Sequence, residues 1–264
     1  METSLINTAV IIGAGNVATH LAAALQTAGV TIKAVWSRNI ANATTLAKAL
    51  SDTTTATNTL ADIPTDAAIY IIAVSDDAIA DIAAQLPPVN GIVAHTSGTI
   101  PANALQSTQG NGYGSFYPLQ TFSKSRPIQL TDVPFFIEGD TPQTTARLHT
   151  LAAKISTRVI DANSQIRGQL HLAAVFASNF ANVLWGVADD VLSKANLSLD
   201  ILNPLLVETL AKAIEIGPDN AQTGPAKRND QVTIGKHLDK ISDPDLKEIY
   251  TRLTNLIIKR QCQK

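Results

Sequence analysis

Three small residues at fixed spacing follow the first apolar run of the sequence. Residues 9–12 lead into Gly13, Gly15 and Ala18, and a helix-forming stretch comes next. The first glycine permits a sharp turn, the second lets the backbone approach a ligand, and the small third residue lets the helix pack on the strand. The helix N-terminus then offers free N–H groups to an anion. The pattern predicts a dinucleotide pyrophosphate site, and an ordinary strand–helix turn is the alternative. The residues assigned to this contact are Gly13, Gly15, Asn16 and Val17.

Ser37 and Arg38 stand at the end of the second predicted strand, about 20 residues past the glycine turn. Proteins that bind NAD through this arrangement carry an acidic residue here, which contacts the ribose 2′-hydroxyl. A hydroxyl and a guanidinium instead suit a 2′-phosphate. The predicted cofactor is therefore NADP, and a surface arginine near the next helix is the alternative.

Further polar residues follow two later strands. One apolar run ends at Val74 and Ser75, and another ends in a polar tetrad that contains His95 and Ser97. The carboxyl ends of parallel strands meet at the cofactor side of such a sheet. Val74 and Ser75 are therefore predicted to contact the cofactor and Ser97 the substrate. His95 is either a proton-exchanging group or a hydrogen-bonded structural histidine.

A polar stripe interrupts the apolar second half of the chain. His171, Ser178 and Asn182 lie seven and four residues apart on a predicted helix over residues 165–195, and Asn179 is adjacent to their face. Buried polar groups cost free energy unless they are paired, so the stripe indicates either a ligand site or hydrogen bonding between helices. We interpret these four residues as a candidate catalytic set. Thr223, in a polar loop further along, is a candidate substrate-binding residue.

The elements that position these residues form two domains. Strands alternate with helices up to residue 162, which predicts an α/β fold with a doubly wound Rossmann sheet over residues 1–162. Residues 163–264 show helical patterns only and predict an all-α domain. Its long helix is apolar nearly all round and should be buried, which needs more cover than one such domain provides. The expected arrangement is a homodimer formed through the C-terminal helices.

Composition excludes several classes of protein. The 264-residue chain is 45% hydrophobic and 16% charged, and its net charge of −2 does not favour nucleic acid. The single cysteine rules out an internal disulfide framework and a cysteine-ligated metal site, and no metal is predicted. No signal peptide is visible, and polar residues interrupt the apolar stretches before the length of a membrane span. A cytoplasmic protein that acts on a small molecule, without membrane or nucleic-acid partners, is expected.

Several segments taken together resemble one known family. They are Gly13-Ala-Gly-Asn-Val-Ala, Ile71-Ile-Ala-Val-Ser, His95-Thr-Ser-Gly, Phe116-Tyr-Pro-Leu-Gln, Ala174-Val-Phe-Ala-Ser-Asn-Phe and Thr223-Gly-Pro. The chain resembles the Rossmann-like NADP oxidoreductase-type proteins with a helical C-terminal domain of unknown function, which are similar to deazaflavin-dependent NADP oxidoreductases. More distantly, it is similar to pyrroline-5-carboxylate reductase and the β-hydroxyacid dehydrogenases. The resemblance implies an N-terminal Rossmann domain and a helical dimerisation domain.

One departure from these relatives limits the chemistry. β-Hydroxyacid dehydrogenases carry a catalytic lysine on the long helix, four residues before an asparagine. Here Val175 and Ser178 occupy the corresponding positions, and no lysine occurs between Lys154 and Lys194. Lysine-based oxidation of a hydroxyacid is therefore not expected.

The function predicted from the sequence is NADP(H)-dependent hydride transfer to or from a small carbonyl or imine substrate. The proton donor is left open between His95 and His171. Two alternatives remain: an NADP-binding sensor or partner-binding protein without catalysis, and hydride exchange between a deazaflavin and NADP.

Overall fold

The computed structural model describes residues 5–262, and its first part is a single eight-stranded sheet. The strands are β1 (Thr8–Ile12), β2 (Thr31–Trp36), β3 (Thr55–Thr57), β4 (Ile69–Ile72), β5 (Ile92–His95), β6 (Tyr113–Pro118), β7 (Phe135–Gly139) and β8 (Val159–Asp161). Their spatial order is β3-β2-β1-β4-β5-β6-β7-β8, and all neighbours are parallel except the antiparallel pair β6–β7. The first six strands have the order typical of a Rossmann sheet. The predicted α/β fold is confirmed.

Helices lie between and after the strands. They are α1 (Asn16–Thr27), α2 (Ile40–Leu50), α3 (Ile79–Gln85), α4 (Pro142–Ala153), α5 (Ser164–Ala174), α6 (Ala181–Ser193), α7 (Asn203–Ile216), α8 (Pro218–Ala221), α9 (Gln231–Lys240) and α10 (Pro244–Cys262). Side-chain caps fix several of their starts. Asn39 accepts a hydrogen bond from the Ala41 N–H at α2, and Asp230 accepts one from the Thr233 N–H at α9.

Two hydrophobic layers sandwich the sheet. One face packs Ile11 and Ile71 against Leu21 of α1, and the other packs Ile12 and Ile72 with Ile82 of α3. Because both faces are covered, β4 reads as a continuous apolar run rather than an alternating one. The rigid sheet therefore holds the carboxyl ends of its parallel strands at a common edge.

A π-helical turn divides the long helix that the sequence predicts over residues 165–195. α5 ends at Ala174, residues Val175–Phe180 form the π turn, and α6 continues to Ser193. π turns of this kind occur frequently at functional sites. This turn carries Ser178 and Asn179.

The expected burial of the long helix is not met within one chain. Phe176 and Val183 are 65% and 62% exposed, and the following helices also present apolar side chains to solvent. By length and composition alone, the helix Ser164–Ser193 could cross a membrane, although the sequence was expected to interrupt such a span. The core helix of a soluble protein meets the same criterion.

The described residues group into two compact units that divide between Asn182 and Val183. The first unit contains the sheet, α1 to α5 and the π turn. The second contains the helices from most of α6 onward. The domain boundary drawn from the sequence after residue 162 stays a prediction.

Candidate functional site

The turn between β1 and α1 has a geometry that requires glycine at its first position. Gly13 has φ of +123°, and a Cβ there would lie 2.2 Å from the carbonyl oxygen of Ala73. Its N–H donates to the Trp36 carbonyl at 2.8 Å, which ties the turn to β2. Gly15 has ordinary φ, and a Cβ there would meet nothing within 4 Å. The two glycines thus serve different purposes: Gly13 permits the turn, and Gly15 borders open space.

A cavity of about 420 Å³ opens at this turn. Every cofactor-binding residue predicted from the sequence lines it: Gly13, Gly15, Asn16, Val17, Ser37, Arg38, Val74 and Ser75. The first turn of α1 carries no acidic side chain, so its N–H groups and the positive end of the helix dipole face the cavity unopposed. The sheet edge therefore brings together glycine backbone, a helix N-terminus and a guanidinium.

The charges at the far side of the cavity come from neighbouring loops. Arg38 is exposed at the end of β2, and Asp77 follows β4. The hydroxyl of Ser75 lowers the pKa of the Asp77 carboxyl, and the Arg38 guanidinium contributes to the same shift. Arg38 is exposed and lines the cavity, so its guanidinium can face solvent or an anion there.

A second cavity of about 620 Å³ shares Asn16 and Val17 with the first. His171, Ser178 and Asn179, all in the predicted catalytic set, line it. Apolar side chains complete most of the remaining wall, which suits a small organic ligand.

Tyr117, at the end of β6, lies in the wall of the second cavity beside His171. Its hydroxyl oxygen is 3.1 Å from Nδ1 of His171, and the two rings meet edge to face with centroids 6.2 Å apart. Burial raises the pKa of the Tyr117 phenol, and the negative charge of Asp76 adds to this effect. The phenol is therefore neutral at physiological pH and able to donate a hydrogen bond.

Gly98, in the loop after β5, packs closely against this pair. A Cβ at Gly98 would lie 2.7 Å from Nδ1 of His171 and 2.8 Å from Cζ of Tyr117. Only a residue without a side chain allows the backbone to approach both rings so closely.

Arg167 fixes the loop that carries Gly98. The side chain is fully buried and donates to the carbonyls of Ser97 at 3.2 Å and Ile100 at 2.6 Å. It also pairs with the carboxylate of Glu138 on β7. A buried guanidinium needs such partners, and here they fasten α5, β7 and the loop 97–100 together.

His95 has a different environment from His171. It is fully buried, and its Nδ1 accepts a hydrogen bond from the Ser97 N–H at 3.2 Å. Burial lowers its pKa to about 4, and the nearby positive charge of Arg167 contributes. His95 is therefore neutral near pH 7 and acts here as an acceptor within its own loop.

The remaining predicted residues have distinct placements. The Ser97 hydroxyl accepts hydrogen bonds from the N–H groups of Thr99 and Ile100, so it is engaged in shaping the loop. Asn182 is exposed, follows the π turn and is not among the described residues that line the second cavity. Thr223 belongs to the second unit, after α8. Their assigned roles stay predictions.

Sequence reasoning gave no role to Tyr117, Arg167 or Lys124, which also lines the first cavity. A signal existed for Arg167, because it precedes His171 by four residues and therefore shares its helix face. For Tyr117, the signal was its position at the end of a strand beside the expected ligand. Lys124 lies in a loop, where spacing along the sequence carries no such information.

Two family models match successive segments of the chain. Residues 8–94 match a family model described as NADP oxidoreductase, coenzyme F420-dependent, and residues 133–257 match a domain of unknown function, DUF2520. A crystal structure from Bacteroides fragilis described as a "putative NADP oxidoreductase" is 40% identical, with a TM-score of 0.89, and the match covers 96% of this chain and 98% of that one.

More distant structures share the fold alone. A Thermotoga maritima protein is 21% identical with a TM-score of 0.70, and the match covers 97% of this chain and 98% of that one. A pyrroline-5-carboxylate reductase from Coxiella burnetii is 13% identical with a TM-score of 0.56, and 98% of each chain is covered. Comparison with curated proteins gave no match.

The identity and coverage of the match to the Bacteroides fragilis structure assign this chain to a family. The two family models describe two segments of this chain. The chain belongs to the same family as that protein, and within this chain a segment that matches the NADP oxidoreductase, coenzyme F420-dependent, model is followed by one that matches DUF2520.

Proposed function

We propose that this protein is an NADP(H)-dependent oxidoreductase that transfers a hydride to or from a small carbonyl or imine compound. The observation that carries the proposal is the sharing of Asn16 and Val17 between two cavities. One cavity contains the glycine turn, and the other contains the Tyr117–His171 pair. A ligand extending past the start of α1 from the first cavity would reach the second.

The residues of the first cavity fit a dinucleotide phosphate. Gly13 makes the turn, and the open space beside Gly15 leaves room for a pyrophosphate at the N-terminus of α1. Ser37 and Arg38 would hold the 2′-phosphate, because a guanidinium forms paired, charge-assisted hydrogen bonds with phosphate. Val74 and Ser75 would line the cavity between the pyrophosphate and the 2′-phosphate. When bound, the reduced nicotinamide supplies a hydride to an electrophilic carbon.

The chain itself must supply a proton to the substrate oxygen or nitrogen that gains electrons. We assign this role to His171. In its doubly protonated form, His171 would donate from Nδ1 to the Tyr117 phenol oxygen, 3.1 Å away, and would carry its second proton on Nε2, which forms no hydrogen bond among the described residues. Nε2 would release that proton to the substrate heteroatom and leave a neutral imidazole, which solvent water would reprotonate, and the phenol oxygen would hold the ring in the required orientation. His95 does not suit this role, because it is buried and neutral.

Ser178 and Asn179 would orient the substrate. A hydroxyl and a carboxamide can each bind a carbonyl or imine group, and the π turn presents both to the same cavity. Fixed orientation of the reacting group is a large part of what a hydride-transferring enzyme contributes.

Turnover with NADPH tests the proposal. The purified protein is offered NADPH with a panel of small ketones, aldehydes and cyclic imines, and oxidation of NADPH is followed. We expect at least one substrate to react, and we expect His171→Ala to reduce kcat by about 100-fold or more, as for loss of a general acid. Tyr117→Phe should reduce kcat less while leaving the Kd for NADPH unchanged.

Tight NADPH binding without turnover of any compound, together with a protein partner whose binding depends on NADPH, would instead indicate a sensor.

The family match over residues 8–94 favours a second candidate, hydride exchange between a deazaflavin and NADP. That match covers β1 to β4 and most of β5 but none of the residues 170–179 of the second cavity. Reduction of NADP+ by reduced coenzyme F420, without any carbonyl or imine compound, would support this candidate over the first.

A further inference from the structure

A tight turn lies over the N-terminus of α1. The Arg126 N–H donates to the Ser123 carbonyl at 3.0 Å, which closes the turn over residues 123–126. Its tip carries Lys124 and Ser125. We call this segment the 123–126 turn.

Asn16 and His20 of α1 contact the 123–126 turn. The backbone N–H of Lys124 donates to Oδ1 of Asn16 at 3.3 Å. The His20 ring lies between the helix and the turn, with Nδ1 2.8 Å from the Asn16 carbonyl oxygen and Nε2 3.2 Å from the Arg126 carbonyl oxygen. Both oxygens are acceptors, so His20 donates to the turn when Nε2 carries a proton. The turn thus contacts α1 at Asn16, which lines the cavity of the glycine turn, and at His20.

His20 is well placed to hold this position. It is only 8% exposed, and its ring packs on Phe122, just before the turn, with centroids 5.2 Å apart. Packing and hydrogen bonding together fix the ring. His20 lies one helical turn after Asn16 and is not among the described residues that line the cavity of the glycine turn, so it can position the 123–126 turn without contacting a cofactor.

Because the 123–126 turn is attached to α1, it places the cationic side chain of Lys124 at the cavity of the glycine turn. Lys124 lines the cavity of the glycine turn together with Gly15. Lys124 also borders a neighbouring cavity of about 610 Å³, which residues of α1 line as well. Its ammonium group can therefore face either space, and a polyanion in the first cavity would draw it there.

We propose that the 123–126 turn is the second wall of the pyrophosphate site, with Lys124 as a cofactor-binding residue and His20 as its positioning residue. The inference rests on the proposed dinucleotide site and adds a ligand contact to it. The helix N-terminus and Gly15 would bind the pyrophosphate from one side, and the ammonium group would neutralise it from the other. Ammonium groups serve as point charges toward phosphate, and anchoring the backbone lowers the entropy lost on binding.

Binding of three ligands to the full-length protein tests the proposal. NADP+ contains both the pyrophosphate and the 2′-phosphate, ADP-ribose contains only the pyrophosphate, and 2′-AMP contains only the 2′-phosphate. We expect Lys124→Ala to raise the Kd of NADP+ and ADP-ribose by about fivefold each, the range of an exposed charge pair, and to leave that of 2′-AMP unchanged. Arg126→Ala is the matched control, since it removes a cation from the same turn and keeps the carbonyl that His20 contacts. It should change none of the three.

The role of His20 is tested through its coupling to Lys124. His20→Ala should raise the Kd of the same two ligands, and adding Lys124→Ala in that background should have little further effect, because an unfastened turn no longer presents the cation. His20→Gln should restore most of the affinity, since its amide can donate to the Arg126 carbonyl. Thermal unfolding of each variant shows whether the fold is kept, and His20→Gln provides the measurement if His20→Ala does not fold.

Three outcomes would overturn the proposal. The first is wild-type affinity of Lys124→Ala for NADP+ and ADP-ribose, as expected if the side chain serves the 610 Å³ cavity instead. The second is equal weakening by Lys124→Ala and Arg126→Ala, which would indicate a diffuse positive field. The third is full additivity of the His20 and Lys124 substitutions. If the wild-type protein bound none of the three ligands, the proposed function would fail together with this inference.

Discussion

Two histidines near the same edge of the sheet show how surroundings decide the role of a residue. His95 is fully buried, accepts a backbone hydrogen bond and is held neutral. His171 lines a cavity and contacts a phenol through Nδ1. The same side chain therefore serves as a structural acceptor at one position and as a candidate proton donor at the other.

The depressed pKa of His95 predicts a pH-dependent stability. Its folded-state pKa of about 4 lies below the ordinary value of 6.5, so the unfolded chain binds more protons between these values. The contribution to the free energy of unfolding is fully present above pH 6.5 and is lost as the pH falls toward 4. The loss should reach about 1.4 kcal/mol per pH unit at most.

Denaturant unfolding of the wild type and of His95→Asn, at neutral and at mildly acidic pH, checks this prediction. Asparagine keeps an acceptor for the Ser97 N–H but does not titrate. Other groups titrate in both proteins, so the difference between their slopes isolates His95. Equal pH dependence in the two proteins would show that His95 does not remain neutral in the folded state.

At the scale of elements, the β1–α1 turn contains one glycine that the fold requires, Gly13, and one that ligand binding is expected to require, Gly15. Gly13→Ala forces a Cβ against the Ala73 carbonyl at a positive φ and should destabilise the protein by about 2–4 kcal/mol. Gly15→Ala meets no atom within 4 Å and should leave the melting temperature unchanged. It should nevertheless weaken NADP+ binding about tenfold or more, because its methyl group occupies the space left for the pyrophosphate.

Melting temperature and NADP+ affinity, measured on both variants, check the difference. A Gly15→Ala protein that binds NADP+ like the wild type would remove the assigned role of this residue. A Gly13→Ala protein with wild-type stability would show that the turn tolerates a side chain.

The elements of the sheet were accessible from the sequence because each has a local signal. Apolar runs of four to seven residues marked β1 and β4, and polar residues at Asn39 and Asp230 marked the helix starts that they cap. The residues predicted to contact the cofactor stand near the carboxyl ends of these runs, and the topology brings them to one cavity. Their contact with a cofactor stays a prediction.

The rest of the site depends on contacts between distant segments. The π turn at residues 175–180 has no distinctive local pattern, and a straight helix was expected there. The Tyr117–His171 contact joins residues 54 positions apart, and the His20–Arg126 contact joins residues 106 apart. Such pairings follow from the register of packed elements and cannot be deduced from spacing along the chain.

At the scale of the whole molecule, the helical unit exposes many large apolar side chains. Among its described residues, Ala226 and Ile234 are the buried hydrophobic side chains, whereas Val207, Leu210 and Ile214 form an exposed stripe along α7. Faces of this kind mark interaction surfaces. We propose that a second copy of the chain covers them, because both copies carry the same apolar stripes and a symmetric pair buries both sets at once.

Molecular mass in solution tests this homodimer. We expect the wild type to have the mass of two chains and Leu210→Glu to dissociate or aggregate, because it places a charge in the contact. Thr209→Glu introduces the same charge on the adjacent residue outside the stripe and should remain dimeric. A wild type that is monomeric at all concentrations, or that requires lipid vesicles to stay in solution, would contradict the homodimer.

The central claim is that the cavity at the glycine turn binds NADP(H) through Arg38. The most direct test is the Kd of NADPH and of NADH for the wild type and for Arg38→Ala. We predict that the wild type binds NADPH about tenfold or more tightly than NADH, and that Arg38→Ala removes most of this difference by weakening NADPH alone. Equal affinity of the wild type for the two cofactors, with neither changed by Arg38→Ala, would contradict the account.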